Sequence, residues 1–229
     1  MKLVKKIVIV RGDTIAPMVA AAIANSLRGQ QVNITLIDAT AESHGAHSAL
    51  PQTAAFHSYL GIDYRDLLRQ TNATFKLGLD YMDWARPEHT FLHPYGATGA
   101  VLRLVPFHHY YVKRRLAGDL TEFSTYSLAA TAAKLGNFTL PTGEQSSILS
   151  TLAYGLHVDA GQYATFFRDY GRQCGVTIVD AGITNVTRRP EDGFIDSITL
   201  DNGLQIDADL FVDCSGKRAL LIDGMFDQR

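Results

Sequence analysis

Cysteine is scarce: the 229-residue chain has two, Cys174 and Cys214. They make no disulfide framework and no Cys-x-x-Cys metal pair, so a reducing, cytoplasmic setting is expected. Neither sign of charge dominates, with 21 Lys+Arg against 23 Asp+Glu and a formal net charge of −2. That balance gives no footprint for nucleic acid or an anionic membrane surface. No stretch reaches the roughly 18–20 apolar residues of a membrane span. At the amino terminus only Ile7-Val8-Ile9-Val10 are apolar before Arg11 and Asp13 intervene, which predicts a strand and not a secretion signal. There is no internal repeat and no low-complexity linker. What is present, 46% hydrophobic and 19% charged residues, suits one globular domain over 1–229 with a sizeable core.

The order of elements points to an α/β fold. Ile7–Val10 predicts a buried parallel strand, Ile15–Leu27 a helix, and Gln31–Asp38 a strand ending in an acid. This is the outline of a dinucleotide-binding βαβ unit. Thr40–Gln52 reads as a polar loop, His57–Asn72 as a helix, Thr74–Tyr81 as a strand and Arg86–Ala100 as an irregular connection. Helices are predicted over Pro106–Leu116, Thr125–Leu135 and Gln162–Gly171, the last capped by Asp159. Residues 51–150 thus read as a helical insertion. Val176–Thr187, Phe194–Leu200 and Gln205–Asp207 then form a β-meander split by Asp192-Gly193 and Asn202-Gly203 turns. A last buried strand runs through Ala208–Gly216.

Several segments narrow this further: Phe75-Lys76-Leu77-Gly78 with Trp84, Arg86 and Pro87; His93-Pro94-Tyr95-Gly96; Tyr154 to Gly161; and Asp209 to Arg218. Together with Phe107-His108-His109-Tyr110 and Tyr126 to Ala130, in this order, they resemble the flavin-dependent tryptophan halogenases. The resemblance implies a Rossmann-like, three-layer FAD/NAD(P)-binding fold with a parallel sheet. It also implies FAD as cofactor, a flavin reductase as supplier of electrons, and a small aromatic substrate, an indole or phenol. Such enzymes use reduced FAD and oxygen to oxidise halide to hypohalous acid, which reaches a lysine beside the substrate. Lys76 stands at the matching position, and an ammonium there can hydrogen-bond hypohalous acid or, as the amine, form a haloamine. The plain alternative is a strand lysine paired with a neighbouring carboxylate. The resemblance likewise places Gly12 and Thr14 at the phosphate turn, Asp38 at the adenosine ribose, and Asp213 and Gly216 near the ribityl chain and pyrophosphate. A strand-end Asp38 opening a turn, and a strand-to-loop turn at Asp213 and Gly216, are the ordinary readings.

The chain also departs from this pattern. Val10-Arg11-Gly12-Asp13-Thr14-Ile15-Ala16-Pro17 puts Arg11, Asp13 and Ala16 at the three positions of the G-x-G-x-x-G turn. An acid about 4 Å from a pyrophosphate charge costs roughly 4 kcal/mol at an effective dielectric near 20. In the run before Pro51, His47 stands where the family has an acid. His44 and His47 lack a third ligand at recognisable spacing, so solvated loop histidines are expected and no metal. His108 to Tyr111 read as a helix face packed in the core, and Cys214 as a small buried hydrophobe. Family members run to about twice this length, and their second half carries a Trp-x-Trp-x-Ile-Pro signature, the lysine's glutamate partner and the halide site. Trp84 is the one tryptophan here. The expectation is one half or one subunit of a halogenase or monooxygenase, inactive alone and assembled as a homodimer or with an obligate second subunit. The competing expectation is a non-catalytic, halogenase-derived scaffold that has lost FAD.

Overall fold

A computed structural model describes residues 3–10, 14–39 and 45–226. The backbone gathers into two compact units: one of 1–47, 60–72 and 158–229, the other of 48–59 and 73–157. The sequence reading has one domain over 1–229 with an insertion at about 51–150.

In chain order the elements are β1 (Lys6–Val10), α1 (Ile15–Ser26), β2 (Asn33–Ile37), β3 (Ala46–Ala49), α2 (Thr53–Tyr59), α3 (Tyr64–Gln70) and β4 (Thr74–Lys76). There follow β5 (Gly78–Met82), β6 (Thr90–Pro94), α4 (Phe107–Leu116), α5 (Leu128–Lys134), β7 (Gly155–Asp159) and α6 (Ala160–Gln173). The tail adds β8 (Thr177–Val179), β9 (Ile183–Arg188), β10 (Ile195–Leu200), β11 (Gln205–Asp207), β12 (Leu210–Asp213) and α7 (Leu220–Phe226).

The first unit is built on a parallel sheet ordered β12-β1-β2-β8. Successive β1 side chains point to opposite faces, and both faces are apolar because both are covered. Ile7 and Ile9 join Ala16, Ala20 and Ala24 of α1, with Ile34, Leu36 and Val176, in one core cluster. Val8 and Val10 join Ile198 and Leu200 of the meander and Leu221 of α7 in the other. Helix, sheet and meander make the expected three layers. The meander is the antiparallel sheet β11-β10-β9. Its turns carry Gly193 and Gly203 at φ +74° and +81°, where a side chain would be strained. Asp159 caps α6 by accepting from the Gln162 N–H (2.8 Å), and Tyr163, Ala164, Phe167 and Gly171 bury one face at helical spacing.

In the second unit β7 lies between β3 and β4, β5 and β6 form a hairpin, and α4 and α5 follow. Four expectations need correction. The predicted 40–52 loop contains β3, and the predicted 86–100 connection contains β6, because each segment finds a partner strand that supplies its hydrogen bonds. The predicted 57–72 helix is two helices. Gly61 at φ +69° ends the first path, and Asp63 restarts the second by accepting from the N–H groups of Arg65 and Asp66. Finally, α4 buries none of its residues: Tyr110 and Tyr111 donate their hydroxyls to the carbonyls of Leu102 and Thr121 rather than filling a core.

His57 on α2 is 1% exposed, and burial pushes its imidazole down to about 4 from 6.5. The unfolded chain therefore takes up this proton near pH 6.5 and the folded chain only near pH 4. Stability is fully present above about 6.5 and declines as pH falls towards 4, by about 3 kcal/mol at most. Thermal midpoints measured across this window are expected to fall in the wild type, and His57→Phe is expected to flatten that slope.

Candidate functional site

Lys76 ends β4, and its register partner on β7 is Gly155. Strand alternation sends Phe75 and Lys76 to opposite faces. Phe75 stacks on Phe138 (ring centroids 4.0 Å) and meets Tyr154 edge-on. Lys76 is only 8% exposed, and its Nζ donates to Ser48 Oγ of β3 at 2.7 Å. The ammonium also sits 5.8 Å from the centroid of the Tyr95 ring, within reach of a cation–π attraction. Among the described residues no carboxylate pairs with it. The ion-pair alternative for this lysine thus has no counterpart among them.

Gly155 is required by packing. A Cβ there would run into the carbonyl oxygen of Ala49 and come within 3.0 Å of Tyr95 Cε2. The Tyr95 hydroxyl oxygen is buried with no hydrogen-bond partner among the described residues. Lysine, serine and tyrosine thus converge from β4, β3 and the end of the β5–β6 hairpin. The sequence marks Lys76 through the family segment. Ser48 was missed because Ala46-His47-Ser48-Ala49 has no β-branched residue to announce a strand.

The remaining predicted positions lie in the first unit. Gly12 falls outside the described residues, as do Arg11, Asp13 and His44. Thr14 is buried at the start of α1 but its side chain makes no capping hydrogen bond. Ala16 is fully buried in the helix–sheet core, so its methyl is accommodated by packing and is no obstacle in itself. Pro17, at the third position of α1, withholds one of the N–H groups that a helix start offers an anion. Asp38, 4% exposed, is clamped by the guanidinium of Arg168 on α6. Asp213 is equally engaged: one oxygen accepts from Ser215, the other from the Leu221 N–H at the start of α7. Gly216 has φ +62° and open space around its Cα. Cys214 is half-buried against the core, and burial together with Asp213 raises its thiol, which keeps it protonated. Among the described residues no three His, Cys, Asp or Glu gather as metal ligands, and His47 stacks on Tyr163. No helix among them is long and apolar enough to cross a membrane.

The sequence profile described as tryptophan halogenase matches residues 6–229. The chain belongs to the tryptophan halogenase family. It is 31% identical over 238 residues to tryptophan 7-halogenase RebH of Lentzea aerocolonigenes, and 29% over 237 residues to tryptophan 6-halogenase ThaL of Streptomyces albogriseolus. In both cases 96% of this chain aligns with 44% of the relative. Among solved structures it resembles BrvH, a flavin-dependent halogenase from Brevundimonas sp. BAL3, with TM-score 0.88 and 40% identity over 96% of this chain and 44% of that one. Xcc4156, a flavin-dependent halogenase from Xanthomonas campestris, gives TM-score 0.88 and 34% identity. The chain thus has the fold of the matched part of these halogenases, and it spans less than half their length.

Proposed function

We propose that this chain is the lysine-bearing half of a flavin-dependent halogenase acting on an indole or phenol, inactive alone and completed by a second polypeptide segment. One observation carries this reading: Lys76 is buried, held by a hydroxyl with no carboxylate partner among the described residues, and lies beside an aromatic ring. Among the described residues its one hydrogen-bond partner is Ser48, which leaves N–H donors of the ammonium for a ligand. Hypohalous acid offers an oxygen acceptor to such an ammonium, and the Tyr95 ring gives an aromatic substrate a face to lie near. Leu104, Leu116 and Leu120 of the second unit are 95%, 86% and 82% exposed, apolar surface that a second segment or a second copy of the chain would cover.

FAD is the cofactor the family implies, and bound flavin supplies the oxidising power for halide. The parallel sheet with α1 after β1 suits a dinucleotide, but the residues at the positions the family uses for the flavin do not fit a tightly held FAD. Asp13 brings a like charge, Pro17 removes a donor, and the carboxylates of Asp38 and Asp213 are already engaged. The same features favour a second reading, a halogenase-derived scaffold without turnover.

Mixing the chain with the separately produced second half of the Brevundimonas relative, reduced FAD, bromide and indole distinguishes the two. Brominated indole that requires both halves and disappears with Lys76→Ala is the expected result. No product, with the mixture colourless after gel filtration, would leave the scaffold reading standing.

A further inference from the structure

The geometry points to Ser48 as a positioning residue that fixes the Lys76 ammonium towards the exposed side of its strands. This inference rests on the reading of Lys76 as the halogen-handling lysine, and it adds a residue from the segment where the sequence announces only a loop. A lysine side chain has four rotatable carbons and loses up to about 2 kcal/mol of rotamer freedom when one arrangement is imposed. The buried stem restricts the first of these bonds. The 2.7 Å bond from Nζ to Ser48 Oγ restricts the last, and does so without neutralising the charge, as a carboxylate would. Ser48 is exposed while Lys76 is buried, so the bond draws the ammonium to the edge where a ligand can arrive. Because Ser48 Oγ accepts from Nζ, its own O–H is left to donate outward. Ser48 and Lys76 then present donors side by side to one acceptor atom, such as the oxygen of hypohalous acid.

Two readouts on the intact chain test this. In the first, the protein is exposed to limiting hypochlorous acid and chlorine on Lys76 is quantified by peptide mass spectrometry, with exposed Lys134 as internal reference. The neutral amine nitrogen attacks chlorine, the chlorine–oxygen bond breaks, and hydroxide leaves with the amine proton as water. Removing the hydrogen bond frees Nζ to swing towards solvent, so Ser48→Ala is expected to accelerate chlorination of Lys76 about fivefold relative to Lys134. Ser48→Thr, which keeps the hydroxyl, is expected to restore the wild-type ratio. In the second, the side-chain ammonium signal of Lys76 in a nitrogen–proton NMR spectrum is expected in the wild type and Ser48→Thr and lost in Ser48→Ala. Equal chlorination ratios and equal ammonium signals in wild type and Ser48→Ala would overturn the assignment. A wild-type Lys76 that takes up no chlorine while its ammonium signal still depends on Ser48 would instead overturn the halogen reading and leave the positioning role intact.

Discussion

Arg11→Gly combined with Asp13→Gly is expected to raise the affinity of the chain for FAD by two to three powers of ten, read as quenching of flavin fluorescence on titration. An acid in a glycine position of the phosphate turn, about 4 Å from a pyrophosphate charge at an effective dielectric near 20, repels it by roughly 4 kcal/mol. Glycine removes the charge and also the Cβ that keeps a phosphate away from backbone N–H groups. The packing of α1 refines this expectation. Ala16 sits fully buried between helix and sheet, so adding Ala16→Gly is expected to bring no further affinity and to cost about 1 kcal/mol of helix stability. Unchanged fluorescence in the double variant would place the obstacle elsewhere, with Pro17 the next residue to change.

The second large effect is expected at Arg168. Its guanidinium neutralises Asp38, which is 4% exposed, and Arg168→Ala would strand that carboxylate among Ile37, Val179 and the strands around them. Loss of about 3–5 kcal/mol is expected in urea unfolding, the range seen when one partner of a buried pair is removed. Asp38→Asn with Arg168→Met is expected to recover most of it, since the double change leaves no unpaired charge. If Asp38 also bonds a ribose, Asp38→Asn in the glycine-restored background weakens FAD binding. If the clamp is its whole role, binding there stays unchanged.

Much of the first unit was legible from the sequence because local signals and tertiary demands agree there. Ile7–Val10 is β-branched and sits in the sheet centre, Asp159 caps the helix it precedes, and the glycines of Asp192-Gly193 and Asn202-Gly203 adopt the turns they announce. Strands β3 and β6 were illegible for the opposite reason. Ala46-His47-Ser48-Ala49 has little strand propensity of its own and is extended because β7 lies alongside. Gly61 and Asp63 did signal a break between α2 and α3, but the apolar periodicity on either side outweighs them in a linear reading. At the site, Lys76 is visible only through the family segment around it. That Ser48 holds it, and that Tyr95 brings a buried hydroxyl nearby, depends on three strands meeting, which no spacing along the chain encodes.

Gly155 gives this arrangement a consequence for how the protein can change. The strand neighbour of Lys76 is this glycine, its Cα pressed between the Ala49 carbonyl and the Tyr95 ring. Any side chain at 155 would have to displace backbone, so this position is closed to substitution. Variation beside the lysine is therefore expected to be tolerated at the exposed Ser48 and refused at 155, which libraries randomised at each of these two codons and sorted for folded protein would read out.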